Sequence, residues 1–234
     1  LDISGTMQAE DLRPSRLEAA KTVASEFILS RPNDNIGLVV FAGESFTQCP
    51  LTIDHGVLIN LFSGIRYGLI EDGTAIGLGL ANAVSRIRDS KAKSKVVILL
   101  TDGSNNRGDI APITAAEIAK TFKIRVYTIG VGTQGEADCP VETPYGIRKI
   151  KVPVELDEAL LTKIADMTGG KYFRATDNNS LEMVYREIDK LEKSKIEVKE
   201  YSRREEMFMP YAVAAAIILA IELLLRYLFL KNIS

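Results

Sequence analysis

Val96-Val97-Ile98-Leu99-Leu100-Thr101-Asp102-Gly103 decides how this sequence folds. Five aliphatic residues in a row, with no polar alternation, suit a strand covered on both faces, as strands of parallel sheets are. Polar chemistry follows at once, with a hydroxyl and a carboxylate at the strand's carboxyl end. Upstream, residues 74–89 read as a helix in which Gly77 and Gly79 allow close packing. Downstream, 113–122 reads as a helix and 126–131 as a second aliphatic strand. Strands alternating with helices of about ten or more residues predict an α/β fold. The expected architecture is a doubly wound, mostly parallel sheet with helices on both faces.

The rest of the chain extends this pattern. Residues 13–30 carry a helical apolar period that Pro32 ends. Residues 36–42 form a continuous apolar run, read as a buried strand, with a short strand over 46–51 beside it. Asp54 is placed to N-cap a helix reaching about residue 65. A helix over 157–167 is stopped by Gly169-Gly170, a strand follows over 171–175, and a last helix runs from 180 to about 191. Residues 132–153 break the alternation and read as an inserted hairpin or loop turning at Pro144-Tyr145-Gly146. Leu1-Asp2-Ile3 reads as the end of a strand, without an initiator Met or a signal peptide. The expectation is a fragment of a longer protein, truncated within its first strand.

Composition narrows the chemistry. With 46% hydrophobic residues among 234, the chain can bury a core. A net charge of −2 argues against a nucleic-acid binder, which needs a basic face. One histidine, His55, and two cysteines, Cys49 and Cys139, exclude a four-ligand Cys/His zinc site and a disulfide scaffold, though one disulfide stays open. His55 follows a helix cap and reads as a cap or surface residue.

The C-terminus is uneven. Residues 186–206 hold 14 charged residues of 21, and residues 208–221 hold none. The apolar run 208–230 would reach about 34 Å as a helix, against a hydrocarbon core of about 30 Å. Glu222 and Arg226, four apart, can pair on one face, and Ala212, Ala216 and Ala220 form a small-residue ridge. The expected organisation is a domain over 1–191, a charged linker over 192–206, a transmembrane helix over 207–230 and a tail over 231–234.

Three polar clusters fall at strand ends, where open α/β sheets bind ligands. They are Asp2-Ile3-Ser4-Gly5-Thr6, Asp72-Gly73-Thr74 and Thr101-Asp102-Gly103. All their donors are oxygens, a set that hard divalent cations prefer. Alternate spacing lets Asp2, Ser4 and Thr6 point the same way from one tight loop, and Gly5 permits the turn. Few carboxylates and several neutral hydroxyls leave such an ion open to a partner's carboxylate. Asn105, Asn106 and Arg107 lie beside the third loop, as rim residues or a solvated turn.

The pattern Asp-x-Ser-x-Thr, then Thr74, then Asp102 resembles the von Willebrand factor type A domain and its metal-ion-dependent adhesion site (MIDAS). Thr6 stands where Ser is usual. The resemblance implies Mg²⁺ or Mn²⁺ held directly by Ser4, Thr6 and Thr74, with Asp2 and Asp102 acting largely through waters. It implies a binding module rather than an enzyme. The stretches 8–21 and 41–46, and the order of domain then membrane helix, resemble the BatA-type aerotolerance proteins of bacteria. That implies an inner-membrane location, other Bat-type membrane proteins and a MoxR-type ATPase as partners, and a partner Asp or Glu on the metal. Two rivals stand beside it. Asp2-Ile3-Ser4-Gly5-Thr6 also looks like the phosphorylated loop of haloacid dehalogenases and P-type ATPases, with Asp2 as nucleophile. Against this, Ser4 replaces the acid/base Asp, and Asp102 is followed by Gly103-Ser104 rather than a second acid. The other rival is a metal-free scaffold domain. Lys193, Lys195, Lys199, Arg203 and Arg204 before the apolar run, against Lys231 after it, favour a cytoplasmic domain by the positive-inside rule. Upstream helices usually dominate topology, so sidedness stays open.

Overall fold

A computed structural model describes residues 1–143, 146–201 and 208–229. Two compact units are present, residues 1–190 and 191–234. In the first, β1 (Ile36–Phe41) pairs antiparallel with β2 (Ser45–Thr52), with an irregularity around Leu38. β3 (Val96–Thr101), β4 (Arg125–Val131) and β7 (Tyr172–Ala175) form a parallel set in the order β3-β4-β7. The decisive aliphatic run is thus a strand, its end residue Thr101 opposite Gly130.

Residues 1–3 join the two sets. The Asp2 N–H donates to Leu100 O at 3.0 Å, and the Ile3 N–H donates to Phe41 O at 2.8 Å. Asp2 also bridges Phe41 in parallel. The sheet therefore reads β2, β1, residues 1–3, β3, β4, β7. From residues 1–3 the chain crosses to β1 on one side, and from β3 it crosses to β4 on the other. The switch point lies between residues 1–3 and β3, where open α/β sheets place their ligands.

Helices cover both faces, as expected. α3 (Ile76–Ile87), α4 (Pro112–Thr121) and α5 (Glu158–Thr168) pack with Phe41, Leu99 and Val126 from the sheet around Leu80, Ala116 and Ile164. α1 (Arg16–Leu29) neighbours α2 (His55–Ser63), and its Phe27 ring meets Tyr185 of α6 (Asn178–Tyr201) at 5.1 Å. α1 starts later than the periodicity predicts, because Pro14 precedes the cap and Ser15 accepts from the Glu18 N–H. Asp54 caps α2 as expected, accepting from the Val57 N–H at 3.1 Å.

Residues 132–153, expected as an inserted hairpin or loop, form a separate antiparallel hairpin, β5 (Glu136–Thr143) with β6 (Gly146–Pro153). Of its turn, residues 144 and 145 lie outside the described residues. α6 does not stop near 191 but continues to Tyr201, since the charged run contains no Gly or Pro to end a helix. The remaining linker residues 202–206 and the tail 231–234 lie outside the described residues.

The expected transmembrane helix is not shown by the described residues. α7 (Phe208–Phe229) is a helix of 22 residues, with Tyr211 and Ile218 exposed. Among the described residues no helix is long and apolar enough to cross a membrane.

Candidate metal centre

The five oxygen donors expected from sequence converge at the switch point. Asp2 is fully buried because its strand lies in the middle of the sheet. Both its oxygens are engaged: Oδ1 accepts from the Ser4 N–H at 2.9 Å, and Oδ2 accepts from the Thr101 hydroxyl at 2.6 Å. The turn after it is a short 3-10 segment, Gly5–Gln8, which swings the Ser4 and Thr6 hydroxyls to within 3.2 Å of each other. The Thr6 hydroxyl donates to Asp102 Oδ1 at 2.8 Å, linking the first loop to the third. Thr74 enters from the second loop and is 4% exposed. Its Oγ1 lies 3.6 Å from where a side chain on Gly103 would begin.

Second-loop position is fixed from the third loop. The Thr74 N–H donates to Asn106 Oδ1 at 2.8 Å, and the Gly77 N–H donates to Asn105 Oδ1 at 3.2 Å. Ala75, at the cap position of α3, offers no side-chain oxygen, so Asn105 satisfies a first-turn N–H from another loop while Asn106 holds Thr74 just before the helix. Arg107 pairs with Glu71 at 3.3 Å on the rim.

Four further residues belong to the site that the ligand pattern did not predict. Arg16 is a buried guanidinium, 2% exposed, and it forks between two carboxylates. Its Nη1 donates to Asp102 Oδ2 at 2.7 Å, while Nε and Nη2 donate to Asp11 at 2.7 and 2.6 Å. Asp11 also accepts from the Thr133 N–H at 2.8 Å, and Gly132 leaves no room for a side chain against the guanidinium. Asp72 accepts from the Gly5 N–H at 2.8 Å, and the Thr101 hydroxyl holds Asp2. Asp11 and Arg16 sit in the stretch 8–21 that marked the family resemblance, yet nothing local says that they face the metal loops. Thr101 and Asp72 stood inside the polar clusters and lacked only a reason to be singled out.

Burial governs the charge states. It pushes the Asp2 carboxyl up to about 7, the Asp102 charge adding to the effect, against hydrogen bonds from Thr101 and Ser4. Burial also raises Asp102, with the Arg16 charge and hydrogen bond working the other way. Asp11 feels burial too, but its hydrogen bonds from Arg16 and Thr133 outweigh it and hold the group below the usual carboxylate range. Asp11 and Asp102 share the Arg16 guanidinium, while Asp2 and Asp72 accept from the Ser4 and Gly5 N–H groups. The donor chemistry fits a hard divalent cation, with hydroxyls facing inward and the two central carboxylates tied by hydrogen bonds. Among the described residues there is no group of three His, Cys, Asp or Glu side chains that could hold a metal ion.

The remaining sequence candidates stand apart. His55 Nε2 contacts Asp34 O at 2.9 Å, a surface role as expected. Cys49 and Cys139 are both free and buried, and Cys139 Sγ lies 3.8 Å from Gly5 O.

An open α/β sheet with oxygen donors from three loops at its switch point defines a class of cation-dependent binding modules. Residues 1–187 match the von Willebrand factor type A domain, and the chain belongs to that family. An uncharacterised protein of Borreliella burgdorferi is 28% identical over 235 residues, spanning 100% of this chain and 69% of that protein. A UPF0353 protein of Mycolicibacterium paratuberculosis is 30% identical over 202 residues, and the chain spans 58% of its length. Among solved structures, BatB from Bacteroides thetaiotaomicron is 34% identical, with a TM-score of 0.69, over 82% of this chain and 96% of that one. An aerotolerance-related membrane protein from Bacteroides fragilis is 32% identical, also with a TM-score of 0.69, over 80% and 94%. Proximal thread matrix protein 1 of the mussel byssus, solved with a zinc-occupied MIDAS motif, shares the fold at 22% identity and a TM-score of 0.61, over 81% and 44%.

Proposed function

We propose that this chain is a membrane-tethered binding module that engages a protein partner through a divalent cation. Ser4, Thr6 and Thr74 hold the ion directly, and Asp2 and Asp102 hold it through water. A partner's Asp or Glu completes the coordination. One observation carries the reading: the hydroxyls of Ser4 and Thr6 lie 3.2 Å apart, with Asp102 Oδ1 a further hydrogen bond away. Mg²⁺ or Mn²⁺ is the occupant that such an all-oxygen set suits. The zinc-occupied MIDAS of the mussel protein supports a divalent ion on this fold.

The burial and double hydrogen bonding of Asp2 favour a positioning role over nucleophilic attack, which needs a free, accessible oxygen. That weighs against Asp2 as the nucleophile of a phosphotransfer enzyme and supports the binding reading. The tether is the apolar run 208–230, and its placement in a bacterial inner membrane is supported by the membrane-protein relative from Bacteroides fragilis. Other Bat-type proteins and a MoxR-type ATPase are the partners that the relationship suggests. Calorimetric titration of the chain with Mg²⁺ tests the reading. Binding is expected in the wild type and lost in the Asp2→Ala, Asp102→Ala double variant. No binding, or binding unchanged in the double variant, sinks the metal claim and leaves the scaffold reading. A pull-down in Mg²⁺ against chelator then names the partner.

A further inference from the structure

The pole opposite the metal loops carries a charge pattern that the binding reading does not use. The segment 88–95 enters β3 and contains Arg88, Lys91, Lys93 and Lys95 against one acid, Asp89. The segment 120–125 enters β4 and contains Lys120, Lys123 and Arg125 with no acid. β3 and β4 are parallel, with Val96 opposite Arg125, so both segments lie at the amino end of the sheet. They are stitched together: the Arg125 N–H donates to Lys95 O at 3.0 Å, and Arg125 Nη2 donates to Ser94 Oγ at 2.6 Å. Lys91, Lys93, Lys120 and Lys123 are exposed. The two segments together hold seven basic residues against one acid, Asp89, which pairs with Arg88.

Two further observations point to what meets it. First, the apolar side chains Ile118 and Phe122 stand one helical turn apart at the same pole, 39% and 41% exposed, with Phe122 between Lys120 and Lys123. Aromatic and aliphatic groups among lysines suit a lipid interface, where the ring inserts and the ammonium groups meet headgroups. Second, the chain leaves the first unit at this pole. Lys171, which enters β7, pairs with Glu187 at 2.6 Å, and Arg31, which precedes β1, pairs with Asp189 at 2.6 Å. Those contacts put the end of the unit, near residue 190, at the amino end of the sheet.

We propose that this basic pole docks on an anionic membrane surface, leaving the metal loops facing away from the bilayer. The proposal shares the membrane setting with the function above but is independent of the metal. A basic side chain held close to an anionic leaflet contributes about fivefold to partitioning. Four such groups then contribute a factor of several hundred.

The test uses residues 1–190, so that the apolar C-terminal run plays no part. Residues 1–190 form a compact unit by themselves, and 82% of this chain matches 96% of the solved BatB chain. Co-sedimentation is measured with vesicles of phosphatidylcholine alone and of phosphatidylcholine with 30% phosphatidylglycerol, about a third anionic by design. Chelator is present throughout, so failure of the metal reading cannot disturb the result. Binding is expected to anionic vesicles only and to be released by about 0.5 M salt. Replacing Lys91, Lys93, Lys120 and Lys123 by Gln is expected to weaken it at least about a hundredfold. Lys149→Gln with Lys151→Gln, on the hairpin at the other pole, is expected to leave it unchanged. Absent binding to anionic vesicles, equal binding to neutral ones, or equal loss in both variants would overturn the proposal. So would displacement of the vesicles by a DNA duplex at equal phosphate, which would make nucleic acid the occupant.

Discussion

Replacing Arg16 by Met should unfold the site from within. The guanidinium makes three hydrogen bonds to two carboxylates, and its partners Asp11 and Asp102 are 7% and 0% exposed. Methionine fills much of the volume but supplies no charge, so two buried carboxylates lose their counter-ion together. Breaking a buried pair by removing one partner costs about 3–5 kcal/mol. For a unit of this size, at about 2–4 °C per kcal/mol, the melting temperature should fall by about 6–20 °C. The loss should depend on pH. Asp102 already has its proton affinity raised by burial, and without Arg16 it rises further. A carboxyl whose folded pKa lies above its unfolded value costs stability as pH rises from the unfolded value toward the folded one. The variant should therefore lose less at pH 5 than at pH 8, and a saturating divalent cation should return part of the loss at pH 8. Arg16→Lys keeps the charge but lacks the fork and should fall between the two. Thermal melts by circular dichroism at both pH values, with chelator and with Mg²⁺, measure all of this. A drop below about 3 °C at pH 8, or equal drops at the two pH values, would refute the account of Arg16 as the counter-charge of the metal loops.

Two other perturbations test separate links. In chelator, Asp2 should make the protein less stable at pH 8 than at pH 5.5: the unfolded group is ionised throughout that range, the folded group with its pKa of about 7 is not, and the difference is about 2 kcal/mol. Asp2→Asn should flatten the dependence, and a persisting slope in urea unfolding would assign it to another group. Gly77→Ala should cost at least about 1–3 kcal/mol, because its Cβ would sit 1.9 Å from Ile110 O on the backbone that holds α3 against α4. Gly64→Ala is the control, with its nearest neighbour at 3.7 Å, and urea melts showing equal costs would refute the packing argument.

Much of the fold was legible because its signals are local. The aliphatic run at β3, the cap at Asp54 and the Gly169-Gly170 stop are each set by a few adjacent residues. The end of α6 was not, since charged side chains mark neither a helix nor its end, and only Gly or Pro would have. The insertion over β5 and β6 was legible as a hairpin or loop, and the structure decides for the hairpin. Its strands pair with each other and have no alternation tied to the main core. In the site, the five oxygen donors were visible as three spaced clusters. Arg16 and Asp11 were not, because their partners lie on other loops: Asp102 is 86 residues from Arg16, and Thr133 is 122 from Asp11.

The sequence by itself determined the parallel sheet, the all-oxygen donor set and the exclusion of zinc and disulfide scaffolds. Those follow from hydrophobic pattern and residue type, which need no knowledge of distance. Only the tertiary structure decided that Arg16 shares Asp102 with the metal loops, that Asn105 holds the first turn of α3 and Asn106 the residue before its cap, and that two basic segments meet at the amino end of the sheet. Each of these joins residues remote in the chain. Their juxtaposition is set by strand order, through backbone hydrogen bonds between residues 1–3, β1 and β3, and not by any local preference.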